Sequence, residues 1–127
     1  MKLRCAENSV RLRVSRSDLD RLDLEGRVQD RVGLPDGGSL VFALYLTEEA
    51  VDYQVHWREN TLSVGLPAAA GRSWIATDEV GLEERLPLPG GGALHLLVEK
   101  DFPCKHQPEV DRADTFTELA EKIQREE

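Results

Sequence analysis

Two alternating runs separated by only two residues constrain this chain more than any other feature. In VDYQVHWRENTLSVGL, apolar residues recur at every second position on both sides of Glu59-Asn60. A period of two marks a half-buried strand. Two strands joined by two residues must be antiparallel neighbours. On this reading Val51, Tyr53, Val55 and Trp57 face inward, while Asp52, Gln54, His56 and Arg58 face solvent. Leu62, Val64 and Leu66 resume the inward face.

Similar reasoning extends along the chain. KLRC and SVRLRVS flank Ala6-Glu7-Asn8 and form a hairpin, with Val10, Leu12 and Val14 inward and Arg11 and Arg13 outward. Cys5 shares its face with Leu3 and reads as a small core residue. Ser17 and Asp20 have capping-box spacing, Leu19 and Leu22 share a helical face, and Gly26 supplies a stop, so a helix is predicted at about 17–25. GRVQDRVGL is a strand, and Pro35-Asp36-Gly37-Gly38 a turn. SLVFALYLT is apolar on both faces, as expected of a central strand covered on both sides. Pro67 followed by three alanines opens a second helix, which Trp74 packs on the sheet. VGLEERLPL and ALHLLVEKD are strands around Pro89-Gly90-Gly91-Gly92.

The chain shows no internal repeat and no low-complexity tract. Residues 1–106 read as a single antiparallel β-rich domain, and 107–127 as a linker and C-terminal helix with Phe116, Leu119, Ala120 and Ile123 on one face. The expected fold is α+β, mostly β: an antiparallel barrel or sandwich of about six to eight strands with two short helices and the C-terminal helix.

Charge narrows the function. The 127 residues carry a formal −8, which argues against broad affinity for nucleic acid. Residues 1–16 are the exception, with Lys2, Arg4, Arg11, Arg13 and Arg16 against one acid, Glu7. No targeting segment is read and no apolar run approaches the roughly 18 residues of a membrane span, so no membrane partner is expected. Cys5 and Cys104 are too few for a disulfide scaffold, and a cytoplasmic protein with free thiols is expected.

The stretch LLVEKDFPCKHQ gathers Glu99, Lys100, Asp101, Cys104 and His106. Thiolate and imidazole are good zinc ligands, but a tetrahedral site needs more than one Cys-x-His pair. A cysteine nucleophile with a histidine base needs an oxyanion donor and an orienting group, and the sequence identifies neither. Glu99 and Asp101 fall on one strand face and serve either as paired carboxylates or as solvation at a strand end. His95 lies between leucines and reads as structural, and His56 as exposed. The phosphate-loop, dinucleotide, nucleophile-elbow and zinc-protease motifs are all missing, so no cofactor is expected.

Two resemblances add to this. KLRCAENSVRLRVSRSDLDRL, with VGLEERLPL and LHLLVEKDFPCKH, resembles a small uncharacterised bacterial family, a domain of unknown function with an NSVRLRV-type hairpin and an EKDFxC ending. That resemblance covers most of residues 1–106, departs after 107, and implies no activity. Residues 8–32 are similar to AbrB/MazE-type swapped-hairpin modules, which combine an Asn-Ser turn, an arginine-bearing strand, a short helix and a further strand. This second resemblance implies that Lys2, Arg4, Arg11 and Arg13 contact DNA across a dimer.

The reading is a small non-enzymatic binding or protein-interaction domain of unknown ligand, open to a protein partner or to self-association. Its candidate binding residues are Arg11, Arg13, Glu99, Asp101, Cys104 and His106. The alternatives are DNA binding by the basic hairpin and a Cys/His-dependent metal or enzyme site at 99–106.

Overall fold

Two-residue turns set the frame of the computed structural model, which describes residues 1–49, 51–101, 116, 118 and 119. At Glu7-Asn8 and again at Glu59-Asn60 both turn residues have positive φ, between 49° and 60°. That is the type I′ geometry whose twist matches a hairpin. The first turn joins β1 (Lys2–Ala6) to β2 (Ser9–Val14), and the second joins β5 (Gln54–Arg58) to β6 (Thr61–Pro67). Each hairpin leads into a helix, α1 (Arg16–Glu25) or α2 (Ala68–Ala76). A second hairpin then follows each helix: β3 (Arg27–Gly33) with β4 (Ser39–Thr47), and β7 (Gly81–Pro87) with β8 (Ala93–Lys100).

The chain therefore runs twice through hairpin, helix, hairpin, although the sequence reading found no repeat. Equivalent backbone bonds recur in both copies. Leu34 N–H donates to Gly38 O, and Leu88 N–H to Gly92 O. Val41 N–H donates to Asn60 O, and His95 N–H to Asn8 O. The turn sequences match as well, with Glu-Asn before Ser9 or Thr61, and Leu-Pro-x-Gly-Gly at 34–38 and 88–92.

The two copies exchange hairpins. One sheet has the order β1-β2-β8-β7 and the other β3-β4-β6-β5. Each sheet thus joins the first hairpin of one copy to the second hairpin of the other. The join is parallel in both, β2 beside β8 and β4 beside β6. The sheets are consequently mixed rather than wholly antiparallel, and they are two open four-stranded sheets rather than a closed barrel. The α+β, mostly β class stands. The terminal helix falls largely outside the described residues.

The chain divides into two compact units, Met1–Leu19 with Asp78–Glu127, and Asp20–Thr77. In the first, Val10, Leu12, Val14, Leu82, Leu96 and Val98 form the buried face of the sheet. In the second, Phe42, Ala43 and Leu44 are all buried, so β4 is the covered central strand that its two apolar faces predicted. α2 lies against β4 and β6 with Trp74 fully buried. Its Gly71 has no room for a side chain, because a Cβ there would stand 2.4 Å from Leu46 Cδ2. Across the sheet, Tyr45 covers Gly65, and its hydroxyl donates to Gln54 Oε1 at 3.0 Å.

Three local readings change. Val51 and Trp57 are 90% and 58% exposed rather than inward. β5 begins only at Gln54 and is an edge strand, with Trp57 at its turn end. Cys5 is exposed, again because β1 is an edge strand with a neighbour on one side only. The helix cap lies earlier than Ser17: Ser15 and Asp18 make the reciprocal bonds, Asp18 N–H to Ser15 Oγ at 3.2 Å and Ser15 N–H to Asp18 Oδ2 at 3.1 Å. Leu19 and Leu22 are buried as expected.

Partial burial pushes the Asp18 carboxyl up, but the Met1 amine at 2.8 Å and the Ser15 hydroxyl and N–H outweigh it, holding the carboxyl below its ordinary 3.8. A depressed folded value stabilises the fold above the unfolded value, and that contribution disappears as pH falls through the folded one. Asp18→Asn should therefore lower the urea midpoint at pH 7, and the gap to wild type should close as the pH drops below about 3.8. At the other turn, Glu59 has φ 50° without being glycine. Glu59→Gly should stabilise the chain by roughly 0.5–1 kcal/mol in urea denaturation, and Glu59→Val should destabilise it.

Candidate functional site

The outward face of the first sheet is built by register. Lys2, Arg13, Glu99 and Gly81 stand in one row across β1, β2, β8 and β7. Arg4, Arg11, Leu97 and Glu83 form the next row, and Ala6, Ser9, His95 and Arg85 the third. The period of two that sends Leu12 and Val98 into the core sends all of these to the other side.

Two cross-strand pairs on this face are of like charge, Lys2 opposite Arg13 and Arg4 opposite Arg11. Such pairs are destabilising. Two carboxylates, Glu99 of β8 and Asp101 just past its end, meet three of these four cations. Arg11 Nε donates to Glu99 Oε1 at 2.5 Å. Asp101 receives Lys2 Nζ at 3.0 Å on one oxygen and faces Arg13 NH1 at 3.8 Å on the other. The parallel join of β2 to β8 thus brings Arg11 to Glu99 and Arg13 to Asp101, two neighbouring charge groups on one face. Sequence reasoning had selected all four residues without linking them.

Beyond these groups the face continues to His95, whose Nε2 lies 2.5 Å from Glu83 Oε1. A shallow cleft of about 380 Å³ opens between the two, lined by Arg4, Ala6, Glu7, Ser9, Arg11, His95 and Leu97. Arg4 is exposed and makes no ion pair with any described residue.

The end of β8 is more buried than a solvated strand end. Asp101 is 4% exposed and Lys100 3%. Lys100 has the parity of Leu96 and Val98, so it points to the apolar face beside Val14. Phe116 covers it: the ring lies 5.8 Å from Lys100 Nζ and 4.6 Å from the Arg16 guanidinium, and Phe116 N–H donates to Asp101 O at 2.7 Å. Burial lowers the Lys100 pKa, although the charges of Asp78, Glu79 and Glu118 act the other way.

Cys104 and His106 lie outside the described residues. Among the described residues, no group of three or more His, Cys, Asp or Glu is placed to hold a metal ion, and no helix is long and apolar enough to cross a membrane. His95, which read as structural, lines the cleft, and Arg4 lines it too. Arg4 is named by the resemblance to the swapped-hairpin modules, and the two-residue turn fixes its register with Arg11. The β2–β8 pairing that brings His95 alongside was not legible.

These features define a duplicated, hairpin-exchanged α+β domain with one charged sheet face. The chain belongs to a family of unknown function, DUF7009, whose model matches residues 1–119. The match continues past residue 107, so part of the C-terminal stretch belongs to the family as well. No curated protein and no solved structure matches the chain.

Asp101 is the most buried member of these charge groups. Replacing its charge removes the acid that Lys2 and Arg13 share, and Asp101→Asn should cost about 1–3 kcal/mol of stability. Lys2→Met, which removes one side of that like-charge pair, should restore part of the loss in a double-mutant cycle by urea denaturation.

Proposed function

We propose that this chain is a small non-enzymatic binding domain and that the charged face of its first sheet is the recognition surface. One observation carries the reading. Like-charged side chains stand directly opposite one another on an outward sheet face and are held in place by carboxylates from a distant strand. That arrangement works against the stability of the hairpin, and it is more easily understood as a surface kept for contact. A cytoplasmic setting and a protein or small-molecule partner are part of the proposal.

Specific recognition of DNA is the second reading, and the hairpin-helix-hairpin order with exchange between copies favours it. Three observations weigh against it. Arg13 already faces Asp101. The matching positions of the second copy are Ser63 and Gly65, so the basic strand is not duplicated. The chain as a whole is acidic.

Amide chemical shifts of β2 and β8 would test the proposal, followed while small anions, neutral sugars, short acidic and basic peptides and a duplex oligonucleotide are titrated in. At least one of the small molecules or peptides should give saturable shifts there, lost in Arg11→Ala combined with Glu99→Ala. The duplex should not. Failure of every compound would refute the binding reading, and duplex binding that weakens steeply with salt would establish the DNA reading instead.

A further inference from the structure

We propose that the cleft over β1, β2 and β8 is a binding site for a phosphate group, held between the Arg4 and Arg11 guanidiniums. This deepens the binding reading above and rests on it.

The argument starts from charge. Four cationic side chains stand on the β1–β2 hairpin face, in two directly opposed pairs. The described acids compensate them unequally. Lys2 and Arg13 share Asp101, and Arg11 has Glu99, but Arg4 has no acid among the described residues. One surplus positive charge therefore sits at Arg4, at one wall of the cleft, and another is shared by Lys2 and Arg13 around Asp101.

Geometry adds to this. Arg4 and Arg11 are directly paired across antiparallel strands, where side chains stand close enough to converge on one group. Arg11 gives only its Nε to Glu99, so the donors at its far end are not used by that bond. The Glu99 contact also fixes the Arg11 guanidinium, which lowers the ordering required on binding. A planar carboxylate is satisfied by the fork of one arginine, whereas a tetrahedral dianion presents an oxygen edge to each of two. Two adjacent guanidiniums therefore favour phosphate over carboxylate.

The remaining lining sets orientation. Ser9 Oγ donates its proton to Ala6 O at 2.5 Å, so it offers the cleft a lone pair, suited to a phosphate ester bearing a hydroxyl. Leu97 gives an apolar floor, and His95 is braced by Glu83 at the far wall. Glu7 also lines the cleft, and its carboxylate opposes an anion. That makes Glu7 a tuning residue, and removing its charge should tighten binding.

The experiment titrates the full chain at constant ionic strength with inorganic phosphate, phenyl phosphate and acetate, following amide shifts at Arg4, Ser9 and Leu97. Saturable shifts are expected with phosphate or phenyl phosphate, at least tenfold tighter than with acetate. The tighter of the two phosphates tells whether the site takes a free anion or an ester. Arg4→Ala should weaken binding at least tenfold, Glu7→Gln should strengthen it, and Arg31→Ala, in the other unit, should leave it unchanged. The proposal is overturned if the shifts follow ionic strength alone, if acetate binds as tightly, or if Arg4→Ala binds phosphate like wild type. Should phosphate fail while another compound shifts the same amides, the assignment falls and the binding-domain reading stands. If nothing shifts them, both fall.

Discussion

The parallel join between β2 and β8, and its counterpart between β4 and β6, is the constraint on which everything else depends. A lone two-stranded hairpin is marginal in water. The described residues form four, and each becomes part of a stable sheet only by pairing its inner strand with that of a hairpin from the other half of the sequence. Since β2 and β8 are far apart in the chain, the loop entropy of that closure must be met by burial of Leu12, Val14, Leu96 and Val98 on the shared face. The same join carries Glu99 and Asp101 to the arginines of β2. Core and charged face are therefore two sides of one pairing.

Duplication explains several features that are hard to interpret singly. Glutamate is a poor residue for positive φ, yet Glu7 and Glu59 occupy the same corner of the same turn in both copies. The two copies have diverged where it matters for the outward face. Where the first has Arg13, the second has Gly65 roofed by Tyr45. Where the first has Arg11, the second has Ser63. One hairpin carries a charged face, while an aromatic ring covers one of the equivalent positions of the other.

Much of this was legible in the residues. Alternation in SVRLRV, the turn residues at Glu59-Asn60 and Pro35-Asp36-Gly37-Gly38, and the Pro67-Ala68 helix start all act over a few residues, where sterics and local hydrogen bonding decide. Errors fell where a neighbour was needed. Val51, Trp57 and Cys5 alternate like buried residues, but alternation names two faces without saying whether the strand lies at an edge. Glu99 and Asp101 read as solvation at a strand end, and nothing local says that the lysine between them is buried. Only its parity with Leu96 and Val98, together with the ring of Phe116 above it, puts it inside. The repeat was present in the sequence as two Glu-Asn turns and two Leu-Pro-x-Gly-Gly turns. Its helices and strands have diverged enough that only the turns, where backbone conformation restricts the choice, keep the resemblance.

The strands, the turns, the two helices and which strand faces are apolar could be read from the residues, because these follow from periodicity and from the φ that each turn residue tolerates. The sequence also singled out Arg11, Arg13, Glu99 and Asp101 as residues of interest. Tertiary structure alone decided that they meet, that Arg4 remains without an acid among the described residues, and that each sheet borrows a hairpin from the opposite half of the chain. Strand order and parallel pairing depend on which distant apolar faces bury each other best, and no local pattern encodes that choice.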